Sequence, residues 1–172
     1  VANMIKFAIC DDDKRFGDSF RIELLKEFNK RYSGDEAKIV YYQTADECLS
    51  RINQDCIDVY FLDIEYGNVL GHDVARVLEK NKPNIGIVYI TNHDYYVYSS
   101  FVCRPLGFIR KKTSAHDLEM ALDSVCEYLK KQKKVFTFRD GRKDVDINGN
   151  EIISLCVSDH YLEIEMLDKR IV

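Results

Sequence analysis

The stretch Asp58-Val59-Tyr60-Phe61-Leu62-Asp63, with Gly71 eight residues beyond its last aspartate, decides the fold. A short apolar run of this kind reads as a strand buried on both faces, as in parallel sheets. A carboxylate at the carboxyl end of such a strand points into the crevice where open α/β sheets bind ligands. Similar runs lie on either side of it. Ile5-Lys6-Phe7-Ala8-Ile9-Cys10 leads into Asp11-Asp12-Asp13, Ile87-Val88-Tyr89-Ile90 leads into Thr91, and Gly107-Phe108-Ile109-Arg110 delivers Lys111. If these strands are parallel neighbours, one edge of the sheet gathers acids, a hydroxyl and a lysine.

Working outward, the candidate strands are 5–10, 38–42, 58–62, 85–90 and 107–110. Amphipathic stretches at 16–32, 45–53, 71–81, 94–102 and 114–132 separate or follow them. In the first, Phe16, Phe20, Leu24 and Phe28 recur every four residues, and Ile22 and Leu25 widen the stripe. The last carries Leu118, Leu122, Val125 and Leu129 at helical spacing, with Ser114 and Asp117 as a capping arrangement at its start and a basic run, Lys130 to Lys134, at its end. Alternating strands and helices imply right-handed crossovers and a doubly wound α/β domain with a five-stranded parallel sheet.

After Gln132 the period changes from helical to alternating. Residues 135–139, 143–147, 152–158 and 161–167 read as strands, with turn signals at Asp140-Gly141 and Asn148-Gly149-Asn150. This is an all-β segment joined to the first domain with almost no linker, and too small to read as a complete domain.

Composition narrows the function classes. The chain has 172 residues, a net charge of −4 and a pI near 5.6, so bulk positive charge is not its route to nucleic acid, although a local basic site remains open. No run approaches the roughly 18 apolar residues of a membrane span, and nothing reads as a signal peptide. The six cysteines (10, 48, 56, 103, 126, 156) show no metal-type spacing. They read as buried reduced thiols in a cytoplasmic protein.

The strand-end residues suit a divalent cation and a phosphoryl group. Asp11 and Asp12 beside Asp63 repel one another unless a cation neutralises them. An oxygen-only ligand set favours Mg2+. Asp63 is then placed as a nucleophile toward phosphorus, with the Lys111 ammonium and the Thr91 hydroxyl as partners for phosphoryl oxygens.

Asp11-Asp12, Asp63, Thr91, Lys111, Gly71 and the ring at Phe108 together resemble the receiver domain of two-component response regulators, over residues 4–132. The resemblance implies a flavodoxin-like sheet in the order 2-1-3-4-5. It implies Asp63 as phosphoacceptor, and Mg2+ held by Asp11, Asp12, Asp63 and the Glu65 backbone carbonyl. Thr91 and Phe108 become a switch pair that relays to the surface around residues 94–112. Two positions depart from the family pattern: Tyr66-Gly67 replaces Met-Pro after the acceptor, and Lys112 replaces the proline after Lys111. Residues 133–172 resemble the N-terminal part of a LytTR-type DNA-binding domain. Val157-Ser158-Asp159-His160-Tyr161-Leu162-Glu163-Ile164 is similar to its strand-loop-strand signature, which implies a DNA contact by His160.

The expected protein is a phosphorylation switch rather than an enzyme. Its expected partners are a sensor histidine kinase, DNA through the β segment, and a second copy when phosphorylated, with no membrane role. Two alternative functions fit parts of the same pattern. A haloacid-dehalogenase-like phosphatase would use Asp11-Asp12-Asp13, but Arg15 stands where that family wants Thr or Val, and Asp63 is left unexplained. A phosphorylation-independent interaction module would have no use for the complete set of strand-end groups.

Overall fold

The computed structural model describes residues 4–32, 36–83, 85–92, 104–132, 135–140, 143–149, 152–158 and 161–166. The expected helix at 94–102, Cys103, Lys133, Lys134 and His160 lie outside the described residues. The chain divides into two compact units, 1–128 and 129–172.

The first unit is built on β1 (Met4–Cys10), β2 (Glu36–Tyr42), β3 (Val59–Asp63), β6 (Gly86–Thr91) and β7 (Gly107–Arg110). They form one parallel sheet in the order β2-β1-β3-β6-β7, which is the expected doubly wound order. All five residues of β3 are buried. The odd and even positions of the sheet bury against different layers. Phe7 and Phe61 meet Phe20 and Phe28 of the helix α1 (Lys14–Arg31) through edge-on ring contacts. Tyr60 and Leu62 instead join a cluster with Val74, Ala75 and Leu78 of α3 (Gly71–Asn81) and Cys48 of α2 (Ala45–Ser50). Helix α4 (Ser114–Gln132) buries Leu118, Leu122, Val125 and Leu129, the predicted stripe.

Several expectations shift. Helix α1 starts two residues early because the Asp13 side chain accepts from the N–H groups of Arg15 and Phe16, a standard N-cap. Helix α2 ends at Ser50 rather than residue 53, and a turn takes over. Ile22 is 71% exposed and does not widen the buried stripe of α1. Cys10, Cys48 and Cys126 are buried thiols as expected, but Cys56 and Cys156 are exposed. Between β3 and α3 the chain also forms an unexpected hairpin, β4 (Glu65–Tyr66) with β5 (Val69–Leu70). Gly67 supplies its positive φ of 61° at the first central position of the two-residue turn.

The second unit contains two antiparallel hairpins, β8 (Val135–Asp140) with β9 (Lys143–Asn148) and β10 (Ile152–Ser158) with β11 (Tyr161–Met166). Ile147, Ile164 and Met166 form its buried cluster, flanked by Phe138, Val145 and Ile152.

Candidate functional site

The site lies at the carboxyl edge of the parallel sheet, where β1 ends at the acidic loop and β3 ends at Asp63. Asp11 is fully buried, Asp63 is 3% exposed, and Asp12 is exposed to solvent. One carboxylate oxygen from each of Asp11, Asp12 and Asp63 falls within 4.8 Å of the others. The Lys111 ammonium bridges two of them, 2.7 Å from Asp11 Oδ2 and 2.8 Å from Asp63 Oδ2. Ionised, three carboxylates and one ammonium carry a net charge of −2.

The local chain holds these groups in place. The other oxygen of Asp63 accepts the Glu65 N–H at 3.1 Å, and the other oxygen of Asp11 accepts the Asp13 N–H at 2.9 Å. The Tyr41 hydroxyl, at the end of β2, donates to the Asp11 carbonyl at 2.5 Å. Gly71 is needed for packing. A Cβ there would collide with the Asp63 backbone carbonyl, and its N–H donates to the Ile64 carbonyl at 2.8 Å. Tyr66, in place of the family's methionine, is buried and donates its hydroxyl to the Tyr42 carbonyl.

Lys111 begins a 3₁₀ turn (Lys111–Thr113) directly after β7. No proline stiffens this turn; Asp117 braces it. Its carboxylate accepts from the Arg110 N–H at 3.0 Å, from the Arg110 Nε and Nη2 at 2.7 and 2.8 Å, and from the Thr113 hydroxyl at 3.2 Å. The sequence assigned Asp117 to a capping arrangement with Ser114. Here its carboxylate is committed to Arg110 and Thr113. The side chain of Ser114 is outside the described residues.

Charge and burial oppose each other here. Burial pushes Asp63 up to about 6, with the Lys111 hydrogen bond pulling it down and the Asp11 charge pushing it up. Burial also raises Asp11, again against the pull of Lys111. For Lys111, burial favours the neutral amine, but the hydrogen bonds to Asp11 and Asp63 outweigh it and keep the ammonium above its usual range. These acids are held at a cost that a further positive charge would relieve. All-oxygen donors with two uncompensated charges fit a hard divalent cation.

Thr91 ends β6 and is fully buried. Its backbone register is one step beyond Ile90, the partner of Asp63, and it pairs with Arg110. Phe108 is half-buried and stacks on Tyr89 at 5.7 Å, while Tyr89 takes the edge of His72 at 4.8 Å. The structure therefore brings Asp11, Asp12, Asp63 and Lys111 together and puts Thr91 on the same edge. The surface expected to receive the relay falls mostly outside the described residues. Sequence reading missed Tyr41, Phe16, Arg110 and Asp117 as supports of the site. Two of these carry a sequence signal, and it points elsewhere: Asp117 to a helix cap and Phe16 to the apolar stripe of a helix.

This sheet order, with an acid cluster and a lysine at its carboxyl edge, defines the receiver class. A receiver-domain protein from Methanospirillum hungatei superposes with a TM-score of 0.59 at 24% identity, covering 77% of this chain and 98% of that one. In sequence, the sensory transduction protein LytT of Bacillus anthracis is 25% identical over 146 residues, 85% of this chain and 56% of LytT. The transcriptional regulatory protein NatR of Bacillus subtilis is 26% identical over 140 residues, 81% of this chain and 55% of NatR. No protein-family model matches the chain. The chain is thus similar to two-component response regulators, and its first unit has the receiver fold, followed by short antiparallel β strands. It spans about half the length of the curated relatives it matches.

Proposed function

We propose that this protein is a phosphorylation-controlled transcription regulator, with a receiver over residues 4–132 and a LytTR-like DNA-binding segment over 133–172. A carboxylate oxygen of Asp63 attacks the phosphorus of a phosphohistidine on a sensor kinase. The P–N bond breaks, the imidazole takes up a proton, and an aspartyl phosphate remains on Asp63. Asp11, Asp12, Asp63 and the Glu65 carbonyl would hold Mg2+, which when bound neutralises charge that develops during transfer. Lys111 turns its ammonium from the carboxylate to a phosphoryl oxygen, and Thr91 offers a hydroxyl to another. Phe108 follows Thr91, and the receiver population shifts toward a state that dimerises and binds DNA. His160 contributes to that contact. Such a protein works in the cytoplasm, and no helix among the described residues is long and apolar enough to cross a membrane.

The observation that carries this reading is the Asp63 carboxylate. It ends a buried strand, 2.8 Å from an ammonium and within 4.8 Å of two further carboxylates. The test is incubation with a small acyl phosphate donor and Mg2+. One hydroxylamine-sensitive phosphoryl group should appear and map to residue 63 by mass spectrometry. Label that persists in Asp63→Ala but disappears in Asp11→Ala would favour the dehalogenase-like enzyme.

A further inference from the structure

Phe16 has no part in the reading above, yet its ring centre lies 4.7 Å from the Lys111 Nζ. It closes a third side of the ammonium, whose other contacts are Asp11 and Asp63. The Lys111 side chain is only 9% exposed as a result of this enclosure. Phe16 is itself only half-buried, so its packing on the core residue Phe20 accounts for only part of its placement.

The ring is held firmly. Its backbone N–H is capped by Asp13 at 3.2 Å. One helical turn further on, Phe20 stacks against it at 5.3 Å with planes 15° apart, and Phe20 in turn meets Phe61 of β3 edge-on. A cation over an aromatic face is attracted by the ring quadrupole, and more strongly where water is excluded.

We propose that Phe16 is a positioning residue that clamps the Lys111 ammonium in its bridge between Asp11 and Asp63, and so sets how readily a divalent cation can take those carboxylates. The proposal rests on the cation site in the reading above. Asp11 Oδ2 and Asp63 Oδ2 are the atoms that Lys111 now occupies. An incoming cation must share or displace the ammonium, and whatever stabilises the bridge opposes it. Loosening the clamp therefore tightens cation binding.

The experiment is a double-mutant cycle on Mg2+ affinity, measured by calorimetry on the full chain: wild type, Phe16→Leu, Lys111→Ala and the pair. Phe16→Leu should tighten Mg2+ binding by about 3- to 10-fold, the range a single cation–π contact supports. Phe16→Tyr, which keeps the ring face, should stay within about twofold of wild type. In the Lys111→Ala background the leucine substitution should change affinity by less than about twofold, because no cation is left to clamp. An equal effect in both backgrounds, or no tightening with Lys111 present, overturns the proposal. A metal-free readout on the wild type needs no variant to fold. The Lys111 ε-methylene protons should resonate well upfield of ordinary lysines because of the Phe16 ring current, and ordinary shifts would overturn the clamp. If Mg2+ binds and Asp12→Ala abolishes binding while the cycle shows no coupling, only the clamp fails. If the clamp shift is present and Mg2+ does not bind, the cation reading is what fails.

Discussion

The carboxyl edge of the parallel sheet and the second hairpin, β10–β11, use their apolar residues in opposite ways. In the first unit a deep double-faced core, with Phe7, Phe61, Leu62 and Tyr89 fully inaccessible or nearly so, supports a rim on which Asp11 and Asp63 are buried against their electrostatic preference. In the hairpin, Leu155, Val157 and Tyr161 are 57%, 75% and 76% exposed, and the buried cluster of the hairpins is Ile147, Ile164 and Met166. A core of the first kind can tolerate a strained charge cluster, whereas the hairpins have little apolar burial to offset one. It is consistent that the buried acids lie where the strands are covered on both faces.

Truncating one side chain in each region should produce the largest difference. Phe61→Ala removes a ring at the meeting point of Phe7 and Phe20 and should cost about 3–5 kcal/mol of unfolding free energy. Val157→Ala should stay within about 0.5 kcal/mol, because its side chain is largely in water already. Denaturant melts of both variants check this, and comparable losses would erase the contrast.

A smaller effect tests the claim that the rim is held against its preference. The carboxyl of Asp63 titrates near 6 when folded and near 4 when unfolded, so between those values the folded state binds more protons. Stability of the metal-free protein therefore falls as pH rises from about 4 to about 6, then levels off. Asp63→Asn should reduce this slope to the part that the buried Asp11 contributes, and raise metal-free stability at pH 7 by on the order of 1–3 kcal/mol. Thermal melts in chelator across pH 4–8 measure it. A wild-type profile that rises through this window would show that Lys111 more than offsets the burial of Asp63.

The legible and illegible parts of the sequence divide along the same physical lines. The central strands β1, β3 and β6 could be read because they are short, largely apolar runs, broken in β1 only by Lys6, as burial on both faces requires. The strand-end groups could be read because each follows such a run directly. The β4–β5 hairpin could not, since two-residue strands have no period, although Gly67 marked the turn. Supports that act across the fold also left no local trace. Tyr41 reaches Asp11 from another strand, and Phe16 reaches Lys111 from a helix nearly a hundred positions away in the chain. The four-residue spacing of Phe16 points to an apolar stripe, and that spacing does stack it on Phe20. Its other neighbour, an ammonium, is set by tertiary structure alone. The misplaced Ile22 is the converse case: an apolar residue whose position on α1 faces water.

The smallest expected effect tests the register at the end of β7, where the family's proline is absent. Lys111 and Lys112 are adjacent and chemically identical, and a one-residue slip would exchange them. An extended strand would separate their side chains by alternation. The structure separates them differently. Both lie in the 3₁₀ turn that Asp117 braces through Arg110 and Thr113, and only Lys111 reaches the carboxylates while Lys112 is exposed. Lys112→Ala should therefore change stability by less than about 0.5 kcal/mol and leave the response to phosphodonor unaltered. Lys111→Ala should still accept a phosphoryl group on Asp63, since the proposed nucleophile is intact, but should lose the dimerisation and DNA binding proposed to follow. Phosphate incorporation read beside sedimentation and gel-shift assays separates acceptance from response. A response lost in the Lys112 variant and kept in the Lys111 variant would shift the strand end by one residue, and Phe108 would leave its place opposite Tyr89 with it.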